Sequence, residues 1–188
     1  SKNGGWGAFA KDNTKPILNK IPFADLEALI DPPTADLTGR MLELMGTFGY
    51  PKSHPAAVRA LQFLKKNQDL RGPWWGRWGV NYLYGTWSVL CGLQAIGEDP
   101  DQPYIRKAAN WLKSKQNSDG GWGETCESYH DTALAGIGES TPSQSAWALL
   151  ALMSAGEVNS SSVERGIQYL IANQKHDGAW EEDQFTGT

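Results

Sequence analysis

The sequence has little cysteine, no block of like charge and no long apolar run. Two cysteines, Cys91 and Cys126, are too few and too far apart for a disulfide framework, and they fit a reducing compartment equally well. The net charge of −4 includes no basic run. That argues against nucleic acid, whose phosphates need a clustered positive face. No apolar stretch approaches the ~18 residues that a spanning helix requires, and no signal peptide is present. Attachment to a membrane surface remains compatible with this composition. Tryptophan, by contrast, is plentiful. Nine tryptophans and 40% hydrophobic residues in 188 positions are enough for one domain with a large core.

The chain repeats itself. Arg59, Ala60, Phe63, Leu64, Gln68, Gly72 and Trp74 form one copy. Lys107, Ala108, Trp111, Leu112, Gln116, Gly120 and Trp122 form a second, and Arg165, Gly166, Tyr169, Leu170, Gln174, Gly178 and Trp180 a third. Nine residues separate base from glutamine in each copy, and six separate glutamine from tryptophan. Asn3, Gly4, Gly5 and Trp6 match the second half of a further copy. Each base-to-glutamine half reads as a helix and each Gly-rich half as a turn, since glycine tolerates positive φ. The glutamine is expected to bond backbone groups left free at the helix end, and the tryptophan to stack back over its amide. Residues this regular specify architecture, because stacked repeats share a core.

Helices are expected at Thr34–Gly49, Pro55–Gln68, Tyr82–Ile96, Pro103–Gln116, Pro142–Gly156 and Ser161–Gln174, with a short one in Ile21-Pro22-Phe23 to Ile30. In the first long helix, Leu37, Met41, Leu44 and Met45 mark an apolar face. The helices at 82–96 and 142–155 carry few charges and should be buried on most sides; those at 55–68, 103–116 and 161–174 are amphipathic. This alternation predicts two concentric layers, an all-α fold of the α/α toroid type. Three long loops, 7–33, 70–82 and 121–141, precede inner helices and should meet at one end of the ring. Residue 1 falls inside a repeat unit and no helix follows the last turn, so residues 1–188 read as a partial barrel domain cut at both ends.

The repeats are similar to the QW motif of the squalene–hopene and oxidosqualene cyclases. Gly4 to Phe9, Ile21 to Asp25, Asp31-Pro32-Pro33, Gly76 to Thr86, Ser140 to Gln144 and Phe185 to Thr188 resemble segments of the squalene–hopene branch. The resemblance covers essentially the whole chain. It implies an α/α barrel that folds squalene and protonates a terminal double bond, starting a carbocation cascade to pentacyclic hopene and hopanol. It also implies no cofactor, no metal, a peripheral position on the cytoplasmic side of the membrane, and a possible homodimer of the full-length enzyme. The family's proton donor lies in an Asp-x-Asp-Asp string that this sequence lacks. The chain alone is therefore expected to be inactive and to supply cavity wall and polar support.

The same resemblance assigns roles. Asp31 and Asp36 belong to the polar network behind the donor, where close buried carboxylates cannot all ionise. Arg40 stands where several relatives have histidine; it keeps a positive charge but cannot relay a proton at neutral pH. Trp78 and Tyr84 match cavity positions near the first-formed ring, where aromatic faces favour cations, and Tyr84 fits water-mediated proton return. Phe9 matches a cavity position and Phe23 the substrate channel. Blander readings compete: Asp36 and Arg40 as an i,i+4 surface pair, and the aromatics as ordinary core. Other classes compete too. Cys126, His130 and Asp131 suggest the zinc site of a protein prenyltransferase β-subunit; the epoxide branch and a non-catalytic toroidal binding module are further alternatives.

Overall fold

A computed structural model describes residues 1–15, 17 and 30–187. Among the described residues there are six α-helices: α1 (Ala35–Thr47), α2 (Pro55–Lys66), α3 (Tyr82–Ala95), α4 (Pro103–Ser114), α5 (Pro142–Ser154) and α6 (Ser161–Asn173). Two short 3-10 turns, Cys126–Tyr129 and Thr132–Leu134, lie in the loop before α5. The expected helices within the described residues all form. The proposed helix around Phe23 lies outside the described residues.

The layers follow the polarity of the helices. α1, α3 and α5 pack side by side as an inner row, and α2, α4 and α6 lie against them. The outer helices bury one stripe each, such as Ile105, Ala108, Ala109 and Leu112 of α4. Small residues set the inner spacing. A Cβ on Gly92 would sit 2.1 Å from the Gly39 carbonyl oxygen, and one on Gly39 would sit 2.4 Å from that of Ser88. Hence α1 and α3 meet backbone to backbone. This corrects the expected apolar face of α1. The buried stripe is Thr38, Gly39, Leu42 and Met45, whereas Leu44 is exposed and Leu37 and Met41 are half-buried. Close approach selects small residues for the contact, while Met41 and Leu44 line a shallow cleft with Phe48, Tyr50 and His54.

The repeated turns join the units by hydrogen bonds. The outer helices stop before the glutamine, at Lys66, Ser114 and Asn173. Gln68 Nε2 then donates to Gly72 O at 2.6 Å and to Tyr104 O, in the first turn of α4, at 2.8 Å. Gln116 does the same with Gly120 O and Ser162 O of α6, both at 2.8 Å. The glutamine thus ties its turn to the next outer helix rather than capping its own. Each indole N–H donates back ten residues: Trp74 to Leu64 O, Trp122 to Leu112 O and Trp180 to Leu170 O, all at 2.8 Å. The tryptophan amide is held by a hydroxyl of an inner helix: Trp6 by Thr38, Trp74 by Thr86 and Trp122 by Ser145.

The glycine of the turn is required twice over. Gly120 has φ +91°, and a Cβ there would lie 2.6 Å from Arg165 O. Gly97 has φ +78° but open space around it. Gly97→Ala is expected to cost about 1–2 kcal/mol for the left-handed backbone alone. Gly120→Ala adds overpacking and should cost about 2–5 kcal/mol in urea unfolding. Equal losses would show that contact with the α6 backbone contributes nothing.

Candidate functional site

The loops before the inner helices meet at one end, as their placement in the sequence predicts. Tyr129 OH, from the loop before α5, donates to Gly79 O at 2.8 Å in the loop before α3. The ring of Phe9 stands edge-on to Trp78 with centroids 5.8 Å apart and planes at 89°. Thr186 O accepts from Val80 N at 2.9 Å, bringing the C-terminal segment to the same place.

Two buried carboxyl groups organise these loops. Asp31 accepts from three successive backbone N–H groups, Ala8 at 2.8 Å, Phe9 at 2.5 Å and Ala10 at 2.6 Å. Burial pushes its carboxyl up, but these three bonds and the charge of Arg77 outweigh that and hold it below the ordinary value. Through these bonds Asp31 anchors the strip that carries Phe9. Asp36, the second residue of α1, has no solvent exposure. Its Oδ2 accepts from Arg77 N at 3.0 Å and Trp78 N at 3.1 Å. Its Oδ1 is buried and has no partner among the described residues.

Arg40 and Asp36 do not form the surface pair that i,i+4 spacing allows. Arg40 bonds Glu43 at 2.5 Å, in an ion pair exposed enough to contribute little. Its guanidinium lies over Trp87, 5.0 Å from the ring centroid. Trp87 stacks on Trp147 of α5 at 5.7 Å and 10°, and Tyr84 meets both rings edge-on, at 5.6 and 5.2 Å. Burial pushes the Tyr84 phenol up, Asp36 adds to this, and Arg40 and Ser88 oppose it. At neutral pH Tyr84 is a protonated phenol facing both an acidic and a basic group. Trp78 is half-buried, its Nε1 buried without a described partner, and Arg77 stands 5.7 Å from its ring centroid.

The structure thus brings Asp36, Trp78 and Phe9 together and places Tyr84 and Arg40 in one electrostatic neighbourhood with Asp36. Phe23 lies outside the described residues. Phe9 is 87% exposed, so it is no core residue. A cleft of about 400 Å³ borders it and includes Trp6, Lys11 and Arg59, but neither Trp78 nor Tyr84. Sequence reasoning did not single out Trp87, Trp147 or Glu124 as site residues. The first two sit at helical spacing among apolar neighbours and read as core. Glu124 carried a signal, since Glu182 occupies the same place two residues after its own repeat tryptophan.

Chemically the site is an aromatic wall around buried carboxyl groups. Aromatic faces favour a cation by up to about 2 kcal/mol or more once water is gone. Two of the candidate zinc residues make other contacts. Cys126 Sγ contacts Phe185 O, and Asp131 caps the turn at Ala133 N. Among the described residues no three His, Cys, Asp or Glu side chains are grouped to hold a metal ion.

Comparison with known proteins agrees with this geometry. A family model described as the squalene-hopene cyclase C-terminal domain matches residues 1–188. Squalene–hopene cyclase of Alicyclobacillus acidocaldarius is 52% identical over 188 residues, covering 100% of this chain and 30% of the relative. That of Zymomonas mobilis is 50% identical over 191 residues, covering 100% of this chain and 29% of the relative. The type II terpene cyclase MstE from Scytonema superposes with a TM-score of 0.66 at 21% identity, over 99% of this chain and 49% of that one. At that identity the structure establishes the shared α/α toroid, here as part of an α6-α6 barrel, and the sequence matches establish descent: the chain belongs to the squalene–hopene cyclase C-terminal domain family.

Proposed function

We propose that this chain is the C-terminal wall of a cyclase that converts squalene to hopene and hopanol. The observation that carries this reading is the Asp36 clasp. A fully buried carboxyl group holds the backbone of Trp78 and keeps one oxygen free of any described partner. That is the arrangement needed to support an acid supplied from elsewhere while fixing an aromatic face against the developing cation. The chain spans about 29–30% of the length of these relatives and contains no Asp-x-Asp-Asp string. In this reading the proton donor lies in the remainder of the enzyme, and residues 1–188 alone are inactive.

The reaction in this reading needs no redox partner. A proton adds to one end of the terminal double bond, and the cation left on the other carbon is attacked by the next double bond. Each ring closure consumes one π bond and moves the charge along the chain. Loss of a proton to a base ends the cascade as hopene; capture of water followed by proton loss ends it as hopanol. Trp78 and Phe9 favour the cation without offering a lone pair that would trap it. Tyr84, a protonated phenol near Asp36 and Arg40, is placed to pass a proton through water. Arg40 contributes fixed positive charge and cannot itself transfer the proton.

The substrate is a hydrocarbon that partitions into bilayers, so the reading also places the enzyme on a membrane surface. No described helix is long and apolar enough to cross a membrane. The full-length protein incubated with squalene in detergent should release pentacyclic hydrocarbon and alcohol, identified by mass spectrometry. Turnover of squalene epoxide alone would move the protein to the sterol-type branch. Turnover of neither would leave a binding toroid.

A further inference from the structure

The loop that carries Trp78 is held from two sides. Asp36 takes Arg77 N and Trp78 N from the α1 side. From the opposite side, Glu124 Oε2 accepts from Leu83 N at 2.8 Å and Asn81 N at 3.3 Å. Asn81 begins α3 but makes no side-chain cap of its own. The first N–H groups of a helix have no partner within it, and Glu124 supplies one from the next repeat unit. Its own backbone is fixed in turn, because Gln144 accepts from Glu124 N at 2.9 Å and donates to Glu124 O at 3.0 Å. Gln144 also donates to Val80 O at 3.3 Å. Asn81 completes the frame, accepting from Gly76 N at 3.3 Å and donating to Ser128 Oγ at 3.2 Å.

This device recurs. Glu182 stands two residues after Trp180, as Glu124 stands two after Trp122. Its Oε2 accepts from Ser143 N at 2.8 Å. Ser143 is the second residue of α5, as Leu83 is the second residue of α3. One repeat position therefore caps the inner helix of the preceding unit. Two residues after Trp74 the position is Gly76, which has no side chain, and there the carboxyl group is on the helix, as Asp36, reaching the opposite way. The two clasps that converge on residues 77–83 thus bracket Trp78 and end next to Tyr84. The Glu182 clasp lies on α5, which carries neither.

We propose that Glu124 is a positioning residue for the cyclisation, fixing Trp78 and Tyr84 through the backbone of Asn81 and Leu83. This rests on the cyclase reading above for its effect on turnover, but not for its effect on the loop.

Three variants in the full-length protein test it: Glu124→Ala, Glu124→Gln and Glu182→Ala. Glu124 is buried and Glu182 half-buried, so the two alanine variants need not lose equal stability; urea unfolding of each gives that loss, and turnover is compared at a temperature where both are folded. Positioning predicts that kcat for squalene falls tenfold or more in Glu124→Ala, with KM within about threefold. In Glu182→Ala kcat should stay within about twofold of the parent. Glu124→Gln keeps an acceptor oxygen at the same reach and should retain most of the turnover. Amide hydrogen exchange supplies a readout that needs no activity. Exchange at Asn81 and Leu83 should rise in Glu124→Ala and stay at the parent level in Glu182→Ala; Val80 is left out of the comparison, because its N–H bonds Thr186 O and the Thr186 hydroxyl bonds Glu182. Equal loss of kcat in both alanine variants, unchanged exchange in Glu124→Ala, or a glutamine variant as impaired as alanine would each overturn the proposal. A parent that turns over no squalene but shows the exchange pattern would retire the cyclase reading, and with it the role in turnover, and leave only the hold of Glu124 on Asn81 and Leu83.

Discussion

Asp36→Ala is expected to lower squalene turnover by about 100-fold or more, the scale set by misplacing a catalytic surface by roughly an ångström. The physical chain is short. Asp36 is fully buried, and its Oδ2 is the acceptor for two consecutive N–H groups at Arg77 and Trp78. Removing it takes this acceptor from both N–H groups and frees the segment that holds Trp78 against Phe9. Unmet buried donors cost about 1–3 kcal/mol each. Both residues are half-buried, so water recovers part of this, and about 2–4 kcal/mol of stability should be lost in total. Asp36→Asn separates the two roles. Its amide oxygen can accept from the same N–H groups, so stability should fall by only about 1 kcal/mol. Its NH₂ replaces the Oδ1 that has no described partner, so turnover should still fall steeply. An asparagine variant as active as the parent would reduce Asp36 to a clasp. An alanine variant with parental turnover would remove it from the site. Product analysis and thermal unfolding of the same preparations decide the matter.

Trp122→Ala should produce the largest loss of stability, about 3–5 kcal/mol, since removing a buried large aromatic leaves both a cavity and lost contacts. That is a large share of a typical total of about 5–15 kcal/mol. Trp122 has no solvent exposure. Its ring packs where a Cβ on Gly166 would lie 2.6 Å away, its indole bonds Leu112 O, and its amide bonds Ser145 Oγ at 2.9 Å. The side chain therefore joins α4 to α6, and the backbone amide ties the same residue to α5. Trp122→Phe keeps most of the volume and loses the indole bond to the Leu112 carbonyl, which still accepts from Lys115 N, at a cost of about 0.5–1.5 kcal/mol. Trp180 makes the same indole bond but is 42% exposed, so Trp180→Ala should cost clearly less. Equal midpoint shifts for the two alanine variants in urea unfolding would sink the claim that burial, rather than the motif, sets the energy.

Parts of the site were legible before any coordinates. Asp31, Asp36, Trp78 and Tyr84 were reachable through resemblance, and the three loops were predicted to meet because each precedes an inner helix. Other features were not legible. The i,i+4 spacing of Asp36 and Arg40 suggested a pair, but pairing requires both side chains on one accessible face. Asp36 turns inward to loop amides, and Arg40 stays outside over Trp87. Trp87 and Trp147 are far apart in sequence, and only the packing of α3 on α5 stacks them. The apolar stripe of α1 was misread because large side chains stood out in the pattern, while the close contact with α3 needed small ones.

The repeat by itself determined the architecture. Fixed spacing of base, glutamine, glycine and tryptophan sets helix length, turn conformation and layer alternation, all of which are local or nearest-neighbour properties. Tertiary structure alone decided which carboxyl groups hold which loop. Asp36 reaches forward 41 and 42 residues to Arg77 and Trp78, and Glu124 reaches back 41 and 43 to Leu83 and Asn81. Whether such groups meet depends on the rise and rotation between stacked units, and that quantity follows from the Gly39 and Gly92 contact between inner helices rather than from any pattern along the chain.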